Sequence, residues 1–173
     1  MGRGANLLLN IPPTPEGLIH LRDAAYLIEF NRLRRISFSK NLALSATSYL
    51  VNNNGSNAIK TINDNNKNTK QFVSNNANEQ VGLEWAKEQT INCIVLKEDL
   101  INGQACNDFK ITLIKNGNQE IANIIGKTIG NKRIYTFPAV QLSSIYFKNQ
   151  SVNNEVFIKE IEAYHIDEKL IEK

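Results

Sequence analysis

The chain has 173 residues, 42% hydrophobic and 21% charged, a globular balance with enough apolar content to bury a core. Its 20 basic and 17 acidic residues leave a net charge of +3, too small an excess to mark a nucleic-acid surface. No run of 18 apolar residues is present to span a membrane, and the opening MGRGAN lacks the apolar region of a signal peptide.

The first predicted element is a strand at Leu7–Ile11, within GANLLLNIPP. Its unbroken leucines suit a strand covered on both faces, as in a parallel sheet. Pro12-Pro13-Thr14-Pro15-Glu16-Gly17 then reads as a stiff, turn-rich loop. A helix is predicted from Leu21 to about Ile36. Two apolar series carry it at three- and four-residue steps: Leu21, Ala24, Ala25, Ile28, and Tyr26, Phe30, Leu33. Asp23 suits its first turn, and Arg32-Leu33-Arg34-Arg35 suits its end. Glu16 is a loop acid.

Asn41 to about Asn78 holds one longer strand candidate, Leu42–Val51. Asparagine clusters follow at Asn52–Asn54, Asn63–Asn68 and Asn75-Asn76, interrupted by Ala58-Ile59 and Phe72-Val73. Asn tolerates left-handed backbone and bonds its own main chain, so ordered loops between short strands are expected. From Gln80 onward the candidates are Val81–Trp85, Thr90–Leu96, Phe109–Ile114, Glu120–Ile125, Lys132–Phe137, Ser144–Lys148 and Val156–Tyr164. Phe109, Ile111 and Leu113 alternate with polar residues, and Asn116-Gly117 marks a hairpin. Short strands with such punctuation predict a mainly β fold, an antiparallel sandwich or barrel. Asp167–Lys173 is expected to fray. Cys93, inside Ile91–Leu96, reads as a small buried hydrophobe. A disulfide to Cys106 stays open, while two Cys with the distant His20 and His165 make no zinc site.

GANLLLNIPPTPEGLI with the helix after it resembles the end of the catalytic barrel in bacterial α-L-fucosidases. Ile94–Gln104 with Phe109, and Gly126–Ile134, resemble the sandwich domain appended to those enzymes. Ile158–Tyr164 is similar to the last strand of galactose-binding-like jelly rolls. The resemblance implies a galactose-binding-like (discoidin-type) jelly-roll β-sandwich over residues 41–166. Ahead of it would lie a strand–helix remnant of a (β/α)8 barrel, residues 1–40, and behind it a tail, 167–173. A whole barrel takes about 250 residues, so the first strand would be the eighth of eight, its companions outside this sequence. A lone strand of this kind also invites self-association.

The family departures matter. Gly103-Gln104 is followed by Ala105-Cys106 where relatives commonly carry Arg. Asp64-Asn65-Asn66 stands where relatives carry Asp-Gly-Asp. A retaining glycosidase needs two carboxyl groups about 5–5.5 Å apart, and the family's nucleophile lies on earlier barrel strands. No catalytic residue is therefore expected here. No cofactor is required, although the resemblance implies a structural calcium held by Asp64, Asn66, Thr69 and Glu160, since calcium takes six to eight oxygens. Carbohydrate contacts are expected from Phe72, Trp85, Lys132 and Arg133, with Tyr49 a further aromatic. The alternatives are core or inter-domain packing for Trp85 and an ion pair with Glu98 for Lys132-Arg133.

These readings converge on an accessory C-terminal part of an α-L-fucosidase-like glycoside hydrolase. The parent would cleave terminal α-L-fucosyl linkages and would be periplasmic or secreted. Its partners would be the missing barrel and a fucosylated or galactose-containing glycan. The competing readings are a free carbohydrate-binding module and a purely structural domain.

Overall fold

The computed structural model describes residues 9–152 and 155–171. Leu9–Pro12 have no regular secondary structure, and Pro13 makes an isolated antiparallel bridge with Ile19. The rest of the expected first strand lies outside the described residues.

Helix α1 spans Leu21–Ser37. His20 Nδ1 accepts the Arg22 N–H at its start, and Arg34 and Arg35 occupy its last turn. Its apolar and polar residues are both spread around the axis, so it has no single apolar face. Only Leu33 and Ser37 are buried, and Leu21, Tyr26 and Ile28 stand 86%, 61% and 70% exposed. Among the described residues no helix is long and apolar enough to cross a membrane.

Eight strands follow: β1 (Thr47–Asn52), β2 (Gly55–Ile59), β3 (Gln71–Val73), β4 (Gln80–Glu98), β5 (Phe109–Lys115), β6 (Gln119–Gly126), β7 (Arg133–Asn149) and β8 (Val156–Tyr164). All pair antiparallel. One layer runs β2-β1-β4-β7-β5-β6; β8 pairs with the far half of β4 and carries β3 on its other edge. The mainly β sandwich expected from the sequence is therefore present.

Two predicted breaks are not breaks. Val81–Trp85 and Thr90–Leu96 belong to the single strand β4, and Lys132–Phe137, from Arg133 on, and Ser144–Lys148 to β7. The pairing of these two strands slips between Glu84 and Gln89 and again between Ile91 and Cys93. Bulges of this kind bend a strand and let it pass from one layer to the other. Pro138 sits where β7 leaves the ladder, after Thr136 pairs with Cys93 and before Val140 pairs with Ile91, so its missing N–H deprives no partner.

The first part of the predicted strand Leu42–Val51 is instead a 3-10 turn, Leu42–Ser45. Asn41 Oδ1 accepts the N–H groups of both Ala43 and Ala163, which curls this segment onto β8. The tail is also less loose than expected. Glu168–Leu170 forms a 3-10 turn, and the Asp167 N–H donates to Ser37 Oγ at 2.9 Å.

The main core lies between the layers, with Phe109, Phe147, Leu83, Ile94, Ile111 and Ile145 almost wholly buried. Burying each such side chain contributes about 1.5–3 kcal/mol. A smaller cluster on the opposite face of β4 joins Cys93, Val95, Tyr164 and Ile166 to Phe38. Cys93 and Cys106 are both free and buried, so no disulfide joins them. Burial pushes both thiols up to about 12, which makes them inert.

Candidate functional site: a lysine-rimmed cleft

The loop between β2 and β3 is built from asparagine turns. Asp64 Oδ1 accepts the Asn66 N–H at 2.9 Å, and Asn66 Oδ1 accepts the Asn68 N–H at 3.0 Å. Asn65 adopts φ 56°, the left-handed region that Asn tolerates better than most residues. Ile62 is fully buried, and its carbonyl accepts the Ile161 N–H, which seats the loop against β8.

This loop, the ends of β4 and β8, and the β6–β7 connection enclose a cleft of about 440 Å³. Asn65, Asn66, Lys67, Asn131, Lys132 and Lys159 line its rim, with Lys97, Glu98 and Glu160 deeper. The buried charges beneath are matched. Lys97 pairs with Glu162, and Lys70 and Lys159 both reach Asp99, Lys159 at 3.0 Å. Hydrogen bonds from Lys70 and then Lys159 hold the Asp99 carboxyl below its ordinary range.

Glu98 is 2% exposed. Its Oε1 accepts the N–H groups of Ala105 and Cys106 at 2.8 and 2.7 Å, and Oε2 accepts that of Gly130 at 3.1 Å. The anticipated ion pair with Lys132-Arg133 is thus replaced by three backbone donors. Those donors come from residues 105, 106 and 130, which no spacing in the sequence connects to Glu98.

Asp64, Asn66 and Thr69 meet within the loop, and Glu160 approaches it through the Asn65 N–H. Thr69 Oγ1 lies 2.9 Å from Asp64 Oδ1 and 2.8 Å from the Asn66 carbonyl oxygen. Three oxygens therefore gather around one hydroxyl hydrogen. Glu160 Oε1 accepts the Asn65 N–H at 3.1 Å, and burial pushes its carboxyl up to about 7. Among the described residues no trio of His, Cys, Asp or Glu forms a metal cluster. A mixed set of two carboxylates, a hydroxyl and a carbonyl nevertheless suits a hard oxygen-seeking cation such as calcium.

The predicted carbohydrate contacts do not gather. Trp85 is 6% exposed, with its indole N–H on the Leu42 carbonyl at 2.9 Å, and has no open face. It matches the alternative reading as core. Phe72 is 40% exposed on β3 and packs on Phe157 at 5.4 Å. Lys132 is on the cleft rim, whereas the Arg133 guanidinium stands 5.6 Å from the Tyr135 ring. Glu98 and Glu160 both line the cleft, and both oxygens of Glu98 already accept backbone donors.

No family model matches the chain. An Arabidopsis thaliana protein named α-L-fucosidase 1 is 30% identical over 155 residues, covering 79% of this chain. A rice (Oryza sativa subsp. japonica) protein provisionally given the same name is 30% identical over 158 residues, covering 82%. The chain spans 28% of the length of either relative. The crystal structure of SpGH29 superposes with a TM-score of 0.84 at 28% identity, over 96% of this chain and 37% of that one. The two sequence relatives are plant proteins, so the likeness extends beyond the bacterial enzymes. The chain is a partial-length relative of the α-L-fucosidases.

Proposed function

We propose that the chain is an accessory, C-terminal part of an α-L-fucosidase-like glycoside hydrolase and does not itself hydrolyse fucosides. One observation carries this reading. Helix α1 exposes large apolar residues, Leu21, Tyr26, Ile28, Phe30 and Ile36, while relatives of this chain extend about three times further. The occupant of that surface is the remaining part of such an enzyme. A groove of about 630 Å³, lined by Leu9, Ile11, Tyr26, Leu27 and Phe30, gives it an apolar seat.

Asp64, Asn66, Thr69 and Glu160 would hold a structural calcium. When bound, the ion supplies charge to the buried Glu160 and ties the β2–β3 loop to β8.

The test supplies the preceding portion of the Arabidopsis relative as a separate chain. Association with the present chain is expected, together with no turnover of an aryl α-L-fucoside by the present chain alone. Turnover well above background, or no association, overturns the reading.

A further inference from the structure

The outward face of the first layer carries a feature unrelated to the cleft. Strand register places Tyr49, Gly82, Tyr146, Thr112 and Asn123 in one row across β1, β4, β7, β5 and β6. Val81, Leu83, Ile145, Phe147, Ile111 and Leu113 point the other way, into the core, so this row faces outward. With strands about 4.8 Å apart it is about 19 Å long.

Gly82 lies between the two tyrosines of the row. A Cβ there would come within 2.4 Å of two carbons of the Tyr146 ring, so the ring occupies the space that any other residue would fill. Its hydroxyl donates to the carboxylate of Glu84, two residues along β4. Anchored at both points, the ring lies along the sheet instead of standing up from it. One side rests on the Gly82 backbone; the ring is partly buried, as is Tyr49 on β1, across β4 from it. Beyond it the Thr112 hydroxyl donates to Asn123 Oδ1 at 3.0 Å, and the Asn123 Nδ2 donates to Glu120, which leaves one amide hydrogen open.

The charges on this face are already engaged. Glu84 takes the Tyr146 hydroxyl, Lys110 lies 4.0 Å from Glu120, and Lys148 donates to the Ala77 carbonyl. The complementary ligand is therefore neutral. It must present an apolar flank to an aromatic ring and hydroxyls to the amide, hydroxyl and carboxylate around it.

We propose that this sheet face binds a neutral oligosaccharide, one pyranose stacking on Tyr146 beside Tyr49 and its neighbours bonding Glu84, Thr112 and Asn123. The site is independent of the docking of α1 and of the cleft, and either can fail without it.

The full chain is titrated with cellotetraose, β-1,4-galactotetraose and 2′-fucosyllactose, with a heparin tetrasaccharide as the anionic control. At least one neutral probe is expected to bind with a Kd below about 1 mM. Tyr146→Ala and Tyr49→Ala should each weaken it by roughly tenfold or more, Tyr146→Phe should retain most of it, and Lys132→Ala should change nothing. Because Tyr146→Ala uncovers Gly82, amide shifts of Gly82 and Thr112 in the unaltered chain provide a second readout, and both should move with the probe. The proposal is overturned if no neutral probe binds, if binding survives Tyr146→Ala in folded protein, if those amides stay still, or if only heparin binds and Lys132→Ala abolishes it.

Discussion

Glu98 shows how one side chain closes a loop that the sheet leaves open. Its two oxygens satisfy three backbone N–H groups from two separate segments, and its own N–H donates to Gly130. Glu98→Gln keeps the shape but turns an amide donor toward a backbone donor. A loss of about 2–4 kcal/mol is expected from urea unfolding, since bonds to a charged acceptor are worth about 1.5–3 kcal/mol each. Asp99 makes a pH-dependent contribution. Its folded pKa is depressed by Lys70 and Lys159. The stabilisation is therefore full above the unfolded value near pH 3.9 and fades as pH falls through the lower folded value. Asp99→Asn should lower the melting temperature at pH 7, and the gap from the parent chain should close below about pH 4. A gap that persists unchanged into acid would mean that packing, and not charge, is what Asp99 supplies.

At the scale of elements, the β2–β3 loop and β8 depend on each other. They meet through the Ile161–Ile62 backbone bond and the Asn65–Glu160 bond, beside the oxygen cluster of Asp64, Asn66 and Thr69. If calcium ties them together, a chelator lowers the thermal midpoint and added calcium restores it. An unchanged midpoint removes the ion from the account. Asparagine serves as a splice elsewhere too. Asn92 exchanges two hydrogen bonds with the Ile166 backbone, and Asn149 donates to the Val73 carbonyl while accepting the Ser151 N–H. Each replaces a ladder bond where strands diverge, which explains why an asparagine-rich chain remains ordered.

Over the whole molecule, apolar surface is divided unevenly. The sandwich buries its own core, whereas α1 leaves Leu21, Tyr26, Ile28, Phe30 and Ile36 largely uncovered. Without the proposed partner, that surface favours self-association. Ile28→Asp with Phe30→Asp should shift the chain toward monomer in light scattering and reduce capture of the separate catalytic portion. Far-UV circular dichroism should hardly change, because neither residue packs in the main core. Capture that is undiminished would place the contact elsewhere.

Local pattern determined much of the secondary structure. Val156–Tyr164 was legible to the residue because alternation and β-branching agree there, and α1 extends only one residue beyond its expected end. The Asn116-Gly117 hairpin was equally plain, with positive φ at Gly117 and Asn118. Asp64, Asn66, Thr69 and Glu160 were grouped by family likeness; hydrogen bonds join the first three, and Glu160 meets the same loop through the Asn65 N–H. Tertiary structure decided what local pattern cannot encode. Whether Ala86–Gln89 ends a strand or bends it depends on β7 alongside. Glu98 depends on donors at positions 105, 106 and 130, and the row of Tyr49, Gly82 and Tyr146 exists only because three strands share one register. Periodicity acts between neighbours in the chain, whereas register and buried hydrogen bonding are set between segments far apart in it.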